Sequence, residues 1–267
     1  MVDPDETGMT RRYDHLAVVV HEDAEHLAAA ASRAAAQVIN QAIAAHDRAA
    51  VVLATGISQI RFLDWLADQS VDWAKVSILH MDEYVGLGED HPASFRRYLI
   101  EHIVERVHPA AFYGIRGDAP DLATEVARYR ALLERERPDL CVLGIGENGH
   151  LAFNDPPADF ETNEVVHVVT LDERCRQQQV NEGFFVNIEA VPSNAITLTV
   201  PALLCPPRVI GVVPERRKAA AVQAALEGPI TGQCPASALR TAKNAVLHLD
   251  REAASKLAGQ LGQAGST

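Results

Sequence analysis

No Cys-x-x-Cys pair occurs in this chain of 267 residues, and its four cysteines, Cys141, Cys175, Cys205 and Cys234, lie 34, 30 and 29 residues apart. An even cysteine count in a chain too large to need staples reads as reduced thiols, and with them a cytosolic protein. The opening residues, Met-Val-Asp-Pro-Asp-Glu, lack the basic flank and apolar core of a signal peptide. No apolar run approaches the ~20 residues that span a bilayer. Positive charge is also scarce: 24 basic residues stand against 36 acidic ones, for a net charge of −12. That balance argues against nucleic acid and anionic membranes as partners, and an anionic metabolite would need local donors to overcome the surrounding field. Low-complexity blocks, internal repeats and linkers are missing as well. With 48% hydrophobic residues, the chain has enough apolar material for one large α/β domain over residues 1–267.

What is present alternates. Short apolar runs at residues 16–20, 50–54, 75–79, 140–143, 165–169, 195–200, 209–213 and 245–249 read as strands. Between them, helices are expected at 24–45, with Asp23 as N-cap, and at 60–67, from Pro92 to about 107, 122–136, 173–182, 215–226 and after Asp250. Strand and helix in alternation, with strands apolar throughout, predict a single-domain doubly wound, mostly parallel sheet with helices on both faces.

Polar, loop-forming chemistry gathers at the ends of three of these strands. The longest such stretch is Asp139-Leu-Cys-Val-Leu-Gly-Ile-Gly-Glu-Asn-Gly-His-Leu-Ala-Phe-Asn-Asp-Pro-Pro157. A strand ending in glycines turns sharply and delivers side chains to the carboxyl edge of a sheet, where open α/β folds bind ligands. His150, held between the amide of Asn148 and the carboxylate of Asp155, is a set of parts for proton transfer; a hydrogen-bonded structural histidine is the plainer reading. Gly144-x-Gly146-x-x-Gly149 matches the dinucleotide fingerprint, but that motif needs a helix beginning within it, and Pro156 and Pro157 follow too soon. Nicotinamide and flavin are therefore not expected.

The second strand end, Ala54-Thr-Gly-Ile-Ser58, precedes a helix whose free amides and hydroxyls suit a phosphate, or whose Ser58 is a simple N-cap. It lacks the Gly-Lys-Ser/Thr ending of a Walker loop. The third, Met81-Asp-Glu-Tyr84, offers a carboxylate base, while His80 and His91 nearby show no metal-ligand spacing. Glu215-Arg-Arg-Lys218 follows the strand at 209–213 and could bring cations to an anion or form a solvated helix start.

Leu53-Ala-Thr-Gly56, Met81-Asp-Glu-Tyr-Val-Gly-Leu87 with His91-Pro92, and Gly144-Ile-Gly-Glu-Asn-Gly-His-Leu-Ala-Phe-Asn154 resemble, in order and spacing, the glucosamine-6-phosphate deaminase family. The likeness runs from about residue 16 to 249. Related 6-phosphogluconolactonases share the fold but usually carry Asp-Gly-His-Thr in the third segment, and Phe153-Asn154 sides with the deaminases. The resemblance implies metal-free, cofactor-free conversion of glucosamine 6-phosphate and water to fructose 6-phosphate and ammonia, a hydrolase by its water balance, in amino-sugar (N-acetylglucosamine) catabolism. It implies that His150 opens the sugar ring, steered by Asn148 and Asp155, and that Asp82 moves a proton from C2 to C1. Thr55, Gly56, Ser58 and Lys218 match the phosphate site, and residues 155–176 match a lid.

Three departures stand out. Asn148 occupies a position where some members have Asp, and Asp155 one where Glu is common. Gly183 replaces the Arg usually found before the aromatic pair, so Arg174 and Arg176 become candidates for that cation. Two alternatives remain open at this level: a lactonase using the same histidine with no need of Asp82, and a non-catalytic sugar-phosphate-binding regulator. A homo-oligomer is compatible with either.

Overall fold

The computed structural model describes residues 9–181 and 183–258. The eleven strands it describes are β1 (Met9–Tyr13), β2 (Leu16–His21), β3 (Ala49–Leu53), β4 (Val76–His80), β5 (Asp82–Tyr84), β6 (Ala111–Tyr113), β7 (Leu140–Leu143), β8 (Val166–Thr170), β9 (Asn194–Leu198), β10 (Arg208–Val213) and β11 (Ala245–Asp250). Eight form one sheet in the order β1-β2-β11-β10-β7-β3-β4-β6. All neighbours are parallel except β1, which runs antiparallel to β2.

The central strands read as continuous apolar runs because both faces are covered. Along β3, Ala50 and Val52 face one core cluster while Val51 and Leu53 face the other. The longest helix, α1 (Ala24–His46), covers the second face with Leu27, Ala31, Ala35 and Ile39. It starts where Asp23 accepts the free amides of Glu25 and His26, as the sequence leads one to expect. Further helices are α2 (Ile60–Ala67), α3 (Phe95–Leu99), α4 (Glu105–Val107), α5 (Leu122–Glu136), α6 (Glu173–Asn181), α7 (Val200–Leu204) and α8 (Ala219–Glu227).

Chain order along the sheet reverses between β3 and β7: β3, β4 and β6 proceed one way, and β7, β10 and β11 the other. The loops leaving these two strands therefore splay apart and open a crevice at the carboxyl edge.

Several expectations need correction. Strands at 165–169 and 195–200 form, but as β8 and β9 of a separate antiparallel sheet in the order β5-β9-β8. Val166, Ile196 and Leu198 of this small sheet join the core cluster of the large one, so the two pack as one body. Pro92 lies in a turn ahead of its helix, which begins at Phe95 under the Ser94 cap and winds as a π-helix over Ile100–Val104 before α4. The chain after Asp250 makes turns over 251–258 in place of a helix. The last residue of the expected helix 173–182 lies outside the described residues. The stretch expected as a lid, 155–176, contains β8, the first turn of α6 and the loops before and between them. Among the described residues no helix is long and apolar enough to cross a membrane.

Candidate active site

One cavity opens at the crevice between β3 and β7. It is lined by Thr55, Gly56, Ser58 and Gln59 after β3, Met81 and Asp82 after β4, Gly144, Gly146 and His150 after β7, and Lys218 after β10. Phe95, Phe153, Gln178 and Gln179 complete the wall. Four strand ends thus bring Asp82, His150, Thr55, Gly56, Ser58 and Lys218 to a single space, although 163 residues separate the first from the last of them.

His150 owes its position to glycine. A Cβ on Gly146 would lie 2.2 Å from His150 Nε2 and 2.3 Å from Cε1, so the ring can rest on this backbone only because no side chain is there. Gly149 turns the chain with φ +86°, a conformation that side chains other than glycine's rarely adopt. Asn148 Oδ1 then accepts the His150 amide at 3.0 Å, and its Nδ2 donates to Asp155 Oδ1 at 3.1 Å. Asp155 Oδ1 lies 3.3 Å from His150 Nδ1. The direction at Nδ1 falls short of a well-formed hydrogen bond, so the contact is one of proximity. After Gly149 the chain makes a turn closed by the bridge Leu151–Asn154. No helix begins there to present its dipole to a pyrophosphate, and the three glycines serve side-chain approach and turning.

The same loop is pinned to the small sheet. Phe153 N donates to Thr197 Oγ1 at 3.2 Å, and Asn154 Nδ2 to Leu198 O at 2.8 Å. Opposite Thr197 in register stands Asp82.

The two carboxylates differ sharply. Asp82 is 6% exposed with Oδ1 lacking any partner. Burial, and then the charge of Glu83, push its pKa well above the usual carboxylate value. Glu83 is fully buried and accepts from Ser94 Oγ and from the amides of Tyr84, Phe95 and Arg96. It ties β5 to the start of α3, although burial still outweighs these donors and raises its pKa. For Asp155, burial alone would raise the pKa, but His150, Asn148 and the Asp172 amide together bring it below the usual value.

Neither arginine suggested for the missing cation reaches the cavity wall. Arg176 spends its guanidinium on the carbonyls of Ile188 and Val191, at 2.6 and 3.1 Å, and Arg174 is exposed on α6. Gly183 has φ +82° and open space around it. What α6 contributes is Gln178 and Gln179. Sequence reasoning missed both, and missed Gln59, because neutral amides carry no charge or glycine signal. His80 is structural: its Nε2 accepts the Ile115 amide at 2.7 Å, and burial first, then Arg96 and Arg128, lower its pKa to about 3. One trio could hold a metal ion, since ligand atoms of His150, Asp155 and Cys175 lie within 4.8 Å of one another. Burial first, and then the charges of Asp155 and Asp172, raise the Cys175 thiol, which keeps it protonated and makes the trio a poor ligand set at neutral pH.

A doubly wound sheet whose edge loops bring a hydroxyl-bearing helix start, a buried lysine, a histidine beside a carboxylate and a separate buried acid to one cavity has the parts of an enzyme that transfers protons. The family model for glucosamine-6-phosphate isomerases/6-phosphogluconolactonase matches residues 22–248, and the chain belongs to that family. It is 36% identical over 249 residues to the glucosamine-6-phosphate deaminase of Exiguobacterium sibiricum, covering 92% of this chain and 95% of that one. With the glucosamine-6-phosphate deaminase of Streptococcus sanguinis it shares 36% identity over 205 residues, 77% of this chain and 86% of the other. Among solved structures, a monomeric glucosamine-6-phosphate deaminase superposes with a TM-score of 0.81 at 32% identity, covering 89% of this chain and 98% of that chain. A 6-phosphogluconolactonase from Shewanella baltica, at 20% identity and a TM-score of 0.74 over 87% and 97% of the two chains, shares the fold.

Proposed function

We propose that this chain converts glucosamine 6-phosphate and water to fructose 6-phosphate and ammonia, as an isomerase-deaminase of amino-sugar catabolism. The observation that carries the reading is the convergence of Asp82 and His150 on one cavity that also holds the Thr55–Ser58 loop and Lys218. A lactonase has no use for a carbon base, and a binding regulator has no use for a desolvated acid that weakens the fold. The hydrolase label describes only the water balance; the chemistry that must be catalysed is proton transfer at carbon.

The phosphate enters the loop after β3, where amides and hydroxyls face it and Lys218 supplies charge. This grip lies remote from the reacting carbons, so its binding energy serves to position them. His150 takes the proton of the anomeric hydroxyl and returns one to the ring oxygen, which opens the ring. Asp155 and Asn148 hold the imidazole in place and steady its charged form. Asp82, in its ionised form, removes the C2 proton to give an enolamine and hands a proton to C1. The resulting C2 imine adds water and expels ammonia. Burial makes Asp82 a stronger base than a solvated carboxylate, and general acid–base steps of this kind contribute about 10²–10⁴-fold.

The test is an ammonia-release assay run beside ketose detection on a panel of amino and non-amino 6-phosphosugars. The expected result is ammonia and fructose 6-phosphate in equal amounts from glucosamine 6-phosphate. Turnover of 6-phosphogluconolactone with no ammonia from the amino sugar would overturn the reading.

A further inference from the structure

Gln59 stands where three strand ends meet, and nothing in the proton chemistry uses it. It is 1% exposed yet lines the cavity. Its Nε2 donates to Ser58 Oγ at 3.2 Å, in the loop after β3, and to Val212 O at 3.0 Å, near the carboxyl end of β10. Its amide also lies over the first residue after β7: a Cβ on Gly144 would come within 3.1 Å of Nε2. The first glycine of the glycine stretch therefore leaves room for a glutamine from another loop. Its Oε1 is buried and has no hydrogen-bond partner, an uncommon state for a polar atom in a protein interior.

We propose that Gln59 is a positioning residue for the phosphate, keying the Thr55–Ser58 loop to the β10 edge that carries Lys218. The inference rests on the phosphate grip of the proposed function and adds the part that aims it. A hydroxyl has one proton to donate. By occupying a lone pair of Ser58 Oγ, the Gln59 amide leaves that proton free to point at a phosphate oxygen. By holding Val212 as well, it fixes how far the hydroxyl lies from the segment Arg216–Lys218, which begins three residues beyond Val213. Hydrogen bonds to a charged group are among the stronger ones, so loss of aim should be read in phosphate affinity and barely in the proton-transfer steps.

The experiment compares wild type with Gln59→Met, which keeps length and removes both donors, and with Lys218→Met. The dissociation constant of inorganic phosphate is measured by calorimetry, and KM and kcat by ammonia release, all well below the melting temperature. Gln59→Met should weaken phosphate binding and raise KM in parallel by about 10- to 100-fold, with kcat within about threefold. Ser58→Ala should have little further effect in the Gln59→Met background, because the two act through one hydroxyl. If Lys218→Met abolishes phosphate binding while Gln59→Met binds as well as wild type, the role of Gln59 is overturned and the phosphate grip stands. If Gln59→Met lowers kcat and leaves phosphate affinity unchanged, Gln59 belongs to the fold and this inference fails. If wild type itself binds no phosphate, the grip and the inference fall together.

Discussion

Asp82 and Asp155 are the same residue type beyond the carboxyl ends of β4 and β7, and their surroundings drive them apart. Asp155 is met by donors, from Asn148 Nδ2 at 3.1 Å to the Asp172 amide at 3.4 Å, with His150 beside it. Asp82 is buried with its own Oδ1 left without a partner, and a second buried carboxylate, Glu83, stands next in sequence. One environment keeps a charge in place beside an imidazole. The other keeps a charge uncomfortable, and a base that is uncomfortable as an anion is suited to the carbon-proton transfer proposed for it. Two carboxyl groups pushed to opposite sides of their usual range mark the division of labour.

The contrast breaks most severely at Asp82. Asp82→Asn should reduce ammonia release by about 10²–10⁴-fold, with phosphate binding unchanged by calorimetry. The same change should stabilise the protein. A carboxyl whose pKa is raised on folding stabilises below its unfolded value of 3.8 and loses that contribution as pH rises through the folded value. At neutral pH its burial is therefore a cost, which asparagine removes. The melting temperature of Asp82→Asn should exceed that of wild type at pH 7, and the difference should vanish towards pH 3. A variant less stable at both pH values would refute the assignment of a strained acid.

Gly146→Ala comes next. The added Cβ must push the His150 ring away, and a misplacement of about 1 Å costs on the order of 10²-fold in kcat. Its crystal structure should show the ring rotated with Asp82 unmoved. Asp155→Asn should be milder, since an amide still fills the space but carries no charge for the imidazolium. A drop of about 10-fold in kcat is expected, read by ammonia release. At the small end, Arg174→Ala should leave KM for the phosphosugar within about twofold, because the guanidinium lies outside the cavity. A large rise in KM would restore arginine to the phosphate site.

How much of this could be read from residue order alone follows the same division. The buried parallel strands announce themselves as apolar runs, and the Asp23 cap and the glycine loop are local signals, so the six inner strands of the large sheet and the His150 loop were legible, while its short, partly exposed edge strands β1 and β6 were not. The small sheet was not. β5 is three residues long and two of them are acidic, a pattern that reads as a solvated loop until Ser94 and three backbone amides are seen to enclose Glu83. Strands β8 and β9 showed their existence but not their partners, since a run of β-branched residues does not state which sheet it joins. The arginine candidates failed for a related reason: charge marks residues that could bind an anion, and only packing shows that Arg176 is already committed to Ile188 and Val191.

Thr197 has a place in this geometry that its modest chemistry hides. The backbone of Asp82 is paired with it, and the loop bearing His150 hangs from its hydroxyl. Both reacting groups are thus surveyed from one fixed benchmark, a residue with no exposed surface. A displacement of Thr197 would therefore carry the Asp82 backbone and the His150 loop with it together.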